Sequence, residues 1–303
     1  TQIDFTELLS CSDYNTPVFI AFPCSTCTTQ TLTNKKYKVG NDITIGSSQV
    51  LELEGCHLAI EPEVKITVAN GGTLKIRNDG ANNSHLFPCS DMWNGIIVEP
   101  GGILEISGST NTEIGTLIQG AINAIEVNGG ELKLMYATFD HTQLSVYLRN
   151  NPSANCYIYG CKFKCSGARI GKAPFEEHIP FEHVRLENVT NFQFPIGTST
   201  GSTGNKNYYS DAFSAIGIYK SSAIIQRNYF DDIYNHNSFY HSSSYGQAIH
   251  VVGSSSSTPL VVEIGGTGTN EPNYFTNTNI GVRGSNATSI SQLGIAGNEF
   301  ENT

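Results

Sequence analysis

Three aspartates in the second half of the chain, Asp211, Asp231 and Asp232, have the residue type and spacing to do chemistry. Paired carboxyl groups can hydrolyse a glycosidic bond as acid and base, and clustered carboxylates can hold Ca²⁺ for a lyase. Asp231 and Asp232 are adjacent, so on a strand their side chains would point to opposite faces. The aspartates are therefore catalytic candidates where the chain forms a loop. No cofactor is expected, with Ca²⁺ as the one alternative that clustered carboxylates leave open.

Aromatic and histidine side chains near these aspartates could bind a sugar. Aromatic rings pack on the C–H faces of pyranose rings, and imidazole or amide groups hydrogen-bond to hydroxyl groups. The set predicts a glycan-binding surface; in the alternative, the rings fold back over the protein as small loop cores. The ligand-binding candidates are Tyr208, Tyr209, Tyr234, His236, Tyr240, His241 and Tyr245.

The segment 175–183, FEEHIPFEH, combines histidines with glutamates in a way that is similar to a metal-binding set. The helical H-E-x-x-H motif of zinc enzymes is absent, however, and Pro180 interrupts the segment. A solvated loop is sufficient to explain this cluster, so the sequence predicts no metal site.

The eight cysteines predict disulfide bonds, and therefore a secreted or cell-surface protein. Cys24 and Cys27 form a C-x-x-C, but no second pair completes a zinc set, and the flanking residues are typical of a loop rather than a redox site. Their pairing cannot be derived from the sequence; Cys56 with Cys89, and two of the three cysteines within 156–165, are the expected pairs. The disulfide candidates are Cys11, Cys24, Cys27, Cys56, Cys89, Cys156, Cys161 and Cys165.

The charge balance limits the classes of partner that we expect the protein to bind. Lysine and arginine number 17 against 27 aspartates and glutamates, which gives a formal net charge of −10. Nucleic acids and anionic membranes bind clustered cations, so neither is an expected partner. No stretch approaches the roughly eighteen apolar residues of a membrane-spanning helix. A polysaccharide or another cell-surface component, together with further domains of the same chain, are the partners that remain.

A repeat must position these residues. A glycine pair followed by alternating apolar residues recurs in NGGTLKI, PGGILEI and NGGELKL, and its second glycine is Gly72, Gly102 or Gly130. An apolar-x-apolar triplet recurs about nine times at a similar spacing. The triplets are Ile43–Ile45, Ile66–Val68, Ile96–Val98, Ile125–Val127, Val146–Leu148, Val184–Leu186, Ile216–Ile218, Ile249–Val251 and Ile280–Val282.

A third landmark, Asn-x-Phe, closes the later units, as in Asn228–Phe230, Asn273–Phe275 and Asn298–Phe300. Each unit therefore consists of three short strands separated by turns, and such strands become stable when equivalent ones stack into long parallel sheets. Asparagine suits the recurrent turn because it tolerates a left-handed conformation and can bond to its own stacked copies. The pattern predicts an all-β fold, a right-handed parallel β-helix of about nine turns.

The runs W-x-G-I-x-V-x-x-G-G-x-L-x-I (Trp93–Ile106) and A-I-x-V-x-G-G-x-L-x-L (Ala124–Leu134) resemble the β-helix repeats of secreted and cell-surface proteins of Bacteroidetes-type bacteria. These repeats belong to the pectate-lyase-like superfamily, and the resemblance covers roughly residues 40–303. The resemblance implies the fold but no particular activity, because the superfamily includes lyases, hydrolases and adhesins. The Asp-Asp, Gly-His-Gly and Arg-x-Lys signatures of its polygalacturonase branch do not occur together here.

The predicted organisation is an N-terminal cap, 1–38, pinned by disulfides, followed by the β-helix, 39–303, which we expect to continue beyond Thr303. Insertions at equivalent points of successive turns stack on one face, and they are expected at 164–183, 193–215 and 231–248.

The function that follows is a non-enzymatic extracellular or cell-surface module, a structural or adhesive rod with a glycan-binding face built by these insertions. The alternative is a polysaccharide lyase or glycoside hydrolase with a cleft against the same insertions.

Overall fold

The computed structural model describes residues 28–80, 82–108, 115–166, 170–190, 194–197, 206–233, 246–253, 260–266, 272–285 and 290–301. Within these residues every regular element is a β-strand. The first strands are β1 (Thr29–Thr33), β2 (Lys36–Val39), β3 (Ile43–Ile45), β4 (Val50–Glu54), β5 (His57–Ile60), β6 (Lys65–Val68), β7 (Thr73–Arg77), β8 (His85–Pro88), β9 (Gly95–Val98), β10 (Ile103–Ser107), β11 (Thr116–Gln119), β12 (Asn123–Asn128), β13 (Glu131–Met135), β14 (Ala137–Asp140) and β15 (Leu144–Arg149). The later strands are β16 (Tyr157–Tyr159), β17 (Lys162–Lys164), β18 (Glu182–Glu187), β19 (Phe194–Ile196), β20 (Asn207–Tyr209), β21 (Ser214–Tyr219), β22 (Ala223–Ile225), β23 (Asn228–Phe230), β24 (Gln247–Val252), β25 (Leu260–Gly265), β26 (Tyr274–Thr276), β27 (Ile280–Ser285), β28 (Ile290–Ala296) and β29 (Glu299–Glu301).

The strands form three parallel sheets in which each strand pairs with the third strand before it and the third after it. Sheet 1 contains ten strands from β1 to β28, sheet 2 contains ten from β2 to β29, and sheet 3 contains nine from β3 to β27. Three successive strands, one from each sheet, make one coil. This arrangement is consistent with a parallel β-helix and confirms the predicted stacking of short strands. The handedness and the number of turns stay predictions.

The glycine pairs lie at the corner between sheets 3 and 1, as the repeat predicted. Gly71 and Gly101 have φ values of +74° and +79°, which side chains with a β-carbon rarely adopt. At Gly102 a β-carbon would lie 2.5 Å from the carbonyl oxygen of Val68, so the preceding coil leaves no room for one. These glycines therefore shape the corner of the coil.

An aromatic stack fills the interior behind sheet 2. Its neighbouring ring centroids are 4.7–5.1 Å apart, and the planes of neighbouring rings differ by 6–17°. Such nearly parallel, closely spaced rings bury apolar area between every pair of coils. The members of this inner stack are Phe139, Phe163, Tyr209, Phe230, Phe275 and Phe300.

The asparagines at the start of the later strands of sheet 2, or directly before them, form a hydrogen-bonded ladder, as predicted. Asn207 donates to Asn228 at 2.9 Å, Asn228 to Asn273 at 2.9 Å, and Asn273 to Asn298 at 3.0 Å. The predicted reason is wrong in one respect, because none of the four ladder asparagines has a positive φ; in two coils the left-handed residue is instead the one before it, Arg227 at φ +57° and Gly297 at φ +61°. The asparagine is required for its side-chain bonds and not for its backbone conformation.

Cysteine takes the same corner position in earlier coils, where Cys56 and Cys161 precede β5 and β17. Cys56, Cys161 and two further thiols are buried and free, so the expected Cys56–Cys89 bond and the expected pair within 156–165 are both wrong. The thiols pack as small core side chains, and the Cys56 sulfur lies 3.1 Å from the Leu32 carbonyl oxygen. Cys89 is disulfide-bonded. The buried free thiols are Cys56, Cys156, Cys161 and Cys165, while Cys11, Cys24 and Cys27 lie outside the described residues.

The predicted boundaries shift in two places. Strand β1 begins at Thr29, so residues 29–38, assigned to the cap, already belong to the stacked sheets. The rest of the cap, residues 1–27, lies outside the described residues. Within the second expected insertion, 193–215, strands β19 and β20 pair in register with their neighbours, while residues 193 and 198–205 lie outside the described residues.

The first expected insertion, 164–183, folds back towards an earlier coil. The Met92 amide donates to the Ala173 carbonyl oxygen at 3.0 Å, and Lys172 donates to the carbonyl oxygen of Ser90 at 2.5 Å. Met92, Cys165 and Ile170 form a small core beneath this segment. The segment therefore covers the corner between sheets 2 and 3. Most of the third insertion, 234–245, lies outside the described residues.

Candidate functional site: the outer face of sheet 2

The outer face of sheet 2 carries a row of tyrosines on consecutive strands. Because side chains alternate along a strand, the residue before each ring of the inner stack points outwards. The strand register places Tyr208, Tyr229 and Tyr274 side by side, with Lys162 before them and Glu299 after them. We call Tyr208, Tyr229 and Tyr274 the tyrosine row.

The rings of the tyrosine row are more open than those of the inner stack. The centroids of Tyr208 and Tyr229 are 5.7 Å apart and their planes differ by 44°, and the corresponding values for Tyr229 and Tyr274 are 6.4 Å and 31°. Tyr208 is 39% exposed, whereas neighbouring Tyr209 is 1% exposed. The row therefore presents tilted, partly accessible aromatic surface to the solvent.

Polar side chains lie beside the tyrosine row, at the next outward-facing position of each coil, two residues after the tyrosine. Asp231 accepts hydrogen bonds from the Thr276 hydroxyl and the Asn277 amide, both at 2.9 Å. The Thr276 hydroxyl also lies 3.2 Å from the Tyr229 hydroxyl. Carboxylate, amide and hydroxyl groups thus stand within one network beside the rings, which is the combination that recognises a polyhydroxylated ligand.

Charges of both signs surround the tyrosine row. The ammonium nitrogen of Lys206 lies 3.9 Å from the centroid of the Tyr274 ring, a cation–π contact. Burial lowers the pKa of Lys206, and the charge of Arg227 lowers it further. Lys162 and Glu299 extend the row at its two ends. The face as a whole therefore has no strong preference for one sign of charge.

The three catalytic candidates take turn positions at the corner between sheets 2 and 3. Asp211 and Asp232 have φ values of +57° and +51°, and His141 and Asn277 take the same left-handed conformation at the equivalent position of other coils. The Asp211 carboxylate accepts a hydrogen bond from the neighbouring Ser210 hydroxyl at 2.8 Å. A turn that favours aspartate and asparagine explains Asp211 and Asp232. Their catalytic role, and that of Asp231, stays a prediction.

The ligand-binding candidates divide into three groups. Tyr208 belongs to the tyrosine row, whereas Tyr209 is a correction, because its ring is buried in the inner stack and cannot reach a ligand. The sequence analysis missed Tyr229 and Tyr274, although both are the middle residue of the Asn-x-Phe landmark. The candidates that lie outside the described residues are Tyr234, His236, Tyr240, His241 and Tyr245.

A second polar cluster, also missed, lies on the outer face of sheet 3. Glu182 is 1% exposed, and burial raises the pKa of its carboxyl to about 7 against the opposing effects of Arg185 and Tyr219. The Tyr219 hydroxyl donates to one carboxylate oxygen, and Arg185 lies 3.2 Å from the other. Gly217 makes room for this contact, because a β-carbon there would clash with the Glu182 carboxylate. We call Glu182, Arg185 and Tyr219 the Glu182 cluster.

The segment 175–183 does not form a metal site. Glu182 points outwards into its cluster, while adjacent His183 points inwards, where burial lowers its pKa to about 4. A ring nitrogen of His183 lies 2.7 Å from the Ser210 carbonyl oxygen. Across the described residues, no group of three or more His, Cys, Asp or Glu side chains could hold a metal ion.

Two further findings concern the chain as a whole. Nowhere in the described part of the chain is there a helix long and apolar enough to cross a membrane. No protein-family model, no curated protein and no solved structure matches this chain.

Proposed function

We propose that the chain is a non-enzymatic module of a secreted or cell-surface protein, a rigid rod whose outer surface binds a glycan. The observation that carries this proposal is the tyrosine row, three outward rings on adjacent strands beside a network of hydroxyl, amide and carboxylate groups. Outward rings on neighbouring strands add some stability to a sheet through cross-strand pairs, and a partly exposed row of them is also a surface against which a sugar ring can pack.

The interior supports the role of a rod. The inner stack and the asparagine ladder each run through several coils without interruption, so bending between coils would break contacts on more than one side. We propose that the coil is right-handed with about nine turns and belongs to the pectate-lyase-like superfamily, as the resemblance of its repeats implies. The disulfide at Cys89 supports both an oxidising compartment and a disulfide-containing cap.

The experiment that tests this function separates binding from cleavage. The protein is mixed with insoluble polysaccharides of different linkage, and the bound fraction is measured together with reducing and unsaturated sugar ends in the supernatant. Binding without release of ends is the expected result. Absence of binding to every polysaccharide would contradict the proposal, and release of new ends would show an enzyme.

A second candidate function, a polysaccharide lyase or glycoside hydrolase, is favoured by one observation. The Glu182 carboxyl has a pKa of about 7 and lies beside an arginine and a tyrosine hydroxyl, and a carboxyl that titrates near neutrality is suited to proton transfer. Because Glu182 is 1% exposed, catalysis would also require the side chains that cover it to move. If this group is catalytic, the Glu182→Gln variant releases no sugar ends while the unmodified protein does.

A further inference from the structure

The direction of the tyrosine row is set by the sheet. Its members lie on neighbouring parallel strands, which are about 4.8 Å apart, so the row runs across the strands and along the stacking direction of the coils. The ring centroids are 5.7 and 6.4 Å apart. This repeat is close to the length of one sugar residue in an extended linear glycan, so successive rings can meet successive sugars.

The tilt of the rings decides whether they can contact a ligand. In the inner stack the planes differ by at most 17°, and neighbouring rings close over each other. In the tyrosine row the planes differ by 44° and 31°, so neighbouring rings do not stack flat on each other, while one face of the Tyr274 ring is taken by the Lys206 ammonium. An open aromatic face packs against the C–H groups of a sugar ring.

The ends of the row limit the length and charge of the ligand. Lys162 stands before Tyr208 and Glu299 stands after Tyr274, so no further aromatic ring extends the row in either direction. Two cations, Lys162 and Lys206, are balanced by two anions, Glu299 and Asp231, so the surface gives no net attraction for a uniformly charged chain. A neutral glycan that spans three aromatic positions fits this surface.

From these observations we infer that the tyrosine row binds a neutral, linear, extended glycan along the stacking direction of the coils, with one sugar on each of Tyr208, Tyr229 and Tyr274. The network of Asp231, Thr276 and Asn277 runs beside the rings and supplies hydrogen bonds to the sugar hydroxyl groups. This inference rests on the proposed function and assigns its ligand class and its site.

The test uses neutral β-1,4-linked oligosaccharides of glucose, xylose and N-acetylglucosamine, from the disaccharide to the hexasaccharide, with affinity measured by titration calorimetry. For the series that binds, we expect the affinity to rise with each added sugar and to level off at the trisaccharide, which fills all three aromatic positions. Tyr208→Ala, Tyr229→Ala and Tyr274→Ala are each expected to weaken binding of the longer chains on the order of tenfold. Tyr274→Phe keeps the ring and is expected to bind almost as well as the unmodified protein.

Tyr157→Ala is the matched control, because Tyr157 is also an outward tyrosine stacked on a neighbour, Tyr159 at 5.2 Å, but on sheet 1. Urea unfolding of every variant verifies that the fold is retained. If the row variants bind as tightly as the control, or if affinity does not depend on chain length, the site is wrong while the proposed function stands. If the unmodified protein binds none of the three series, the inferred ligand class is wrong, and the polysaccharide-binding experiment then decides whether the proposed function stands as well.

Discussion

Glu182 allows a test of how much the ionisation of a buried carboxyl group destabilises the folded protein. Its carboxyl is almost fully buried on the outer face of sheet 3, and burial raises its pKa from 4.5 to about 7. Because the folded state holds the proton more tightly than the unfolded state, ionisation of Glu182 opposes folding. The stability contributed by the neutral carboxyl is complete below about pH 4.5 and is lost as the pH rises to about 7.

The size of this effect follows from the pKa difference. The interval between 4.5 and about 7 corresponds to about 3 kcal/mol of unfolding free energy. The groups that face the carboxyl are Arg185 on its own strand, which favours ionisation, Tyr219 on β21, which donates a hydrogen bond, and Glu187, which opposes ionisation. Glutamine at position 182 keeps a carbonyl acceptor for Tyr219 and removes the titration.

Glu182→Gln is therefore expected to match the unmodified protein at pH 4 and to be more stable by about 3 kcal/mol at pH 8. Urea unfolding at intervals of pH gives the free energy of each protein, and the difference between them isolates residue 182 from all other titrations. Glu263→Gln, on the outer face of sheet 1, controls for the loss of one carboxylate. A difference that stays constant with pH, or an unmodified protein that is the more stable one at pH 8, would show that ionisation of Glu182 does not oppose folding.

Three further predictions concern the interior. Tyr209→Phe is expected to raise the unfolding free energy by about 1 kcal/mol or more in urea, because its buried hydroxyl has no hydrogen-bond partner among the described residues. Asn228→Ala is expected to lower it by about 2–4 kcal/mol in the same assay, since it removes the donor to Asn273 and the acceptor for Asn207; an unchanged midpoint would show that the ladder contributes nothing. The four free thiols are buried, so an aromatic disulfide reagent is expected to label Cys56, Cys156, Cys161 and Cys165 only after unfolding; labelling of any of them in the native protein would contradict their placement.

The fold could be predicted because each repeated residue type is required either by the backbone conformation at its position or by the direction of its side chain. Gly71 and Gly101 have left-handed backbones, and Ile66 and Val68 alternate with an outward residue, so spacing alone indicated the corners and the strands. The asparagines at the corner could be predicted in the same way, because they also recur along the sequence in the Asn-x-Phe landmark. These features depend on neighbours one coil away, and the sequence repeats them at nearly constant spacing.

The candidate site depended on information that spacing does not contain. Tyr208 and Tyr209 are adjacent and chemically identical, and only the register with Phe163 and Phe230 shows which of them points inwards. Glu182 and Tyr219 are brought together by the stacking of two coils, and the sequence contains no motif that marks their contact. The disulfide prediction was wrong for Cys56 and Cys161 because both occupy a corner where a small buried side chain is needed.

The Asn-Tyr-Phe triplet shows how one short strand can place side chains in the corner, on the outer face and in the interior. In Asn228–Phe230 the first residue joins the corner ladder, the second faces the solvent, and the third enters the inner stack. Replacing the first or the third residue removes contacts inside the coil, whereas replacing the second changes only the outer face. Two coils before Phe139 have Leu86 and Ile118 at the inner position, and the coils of Phe139 and Phe163 have Thr138 and Lys162 at the outward one. An aromatic interior therefore does not require an outward tyrosine, yet three later coils have one. The inner rings stabilise the coil, whereas a ligand for the outer row is our proposal.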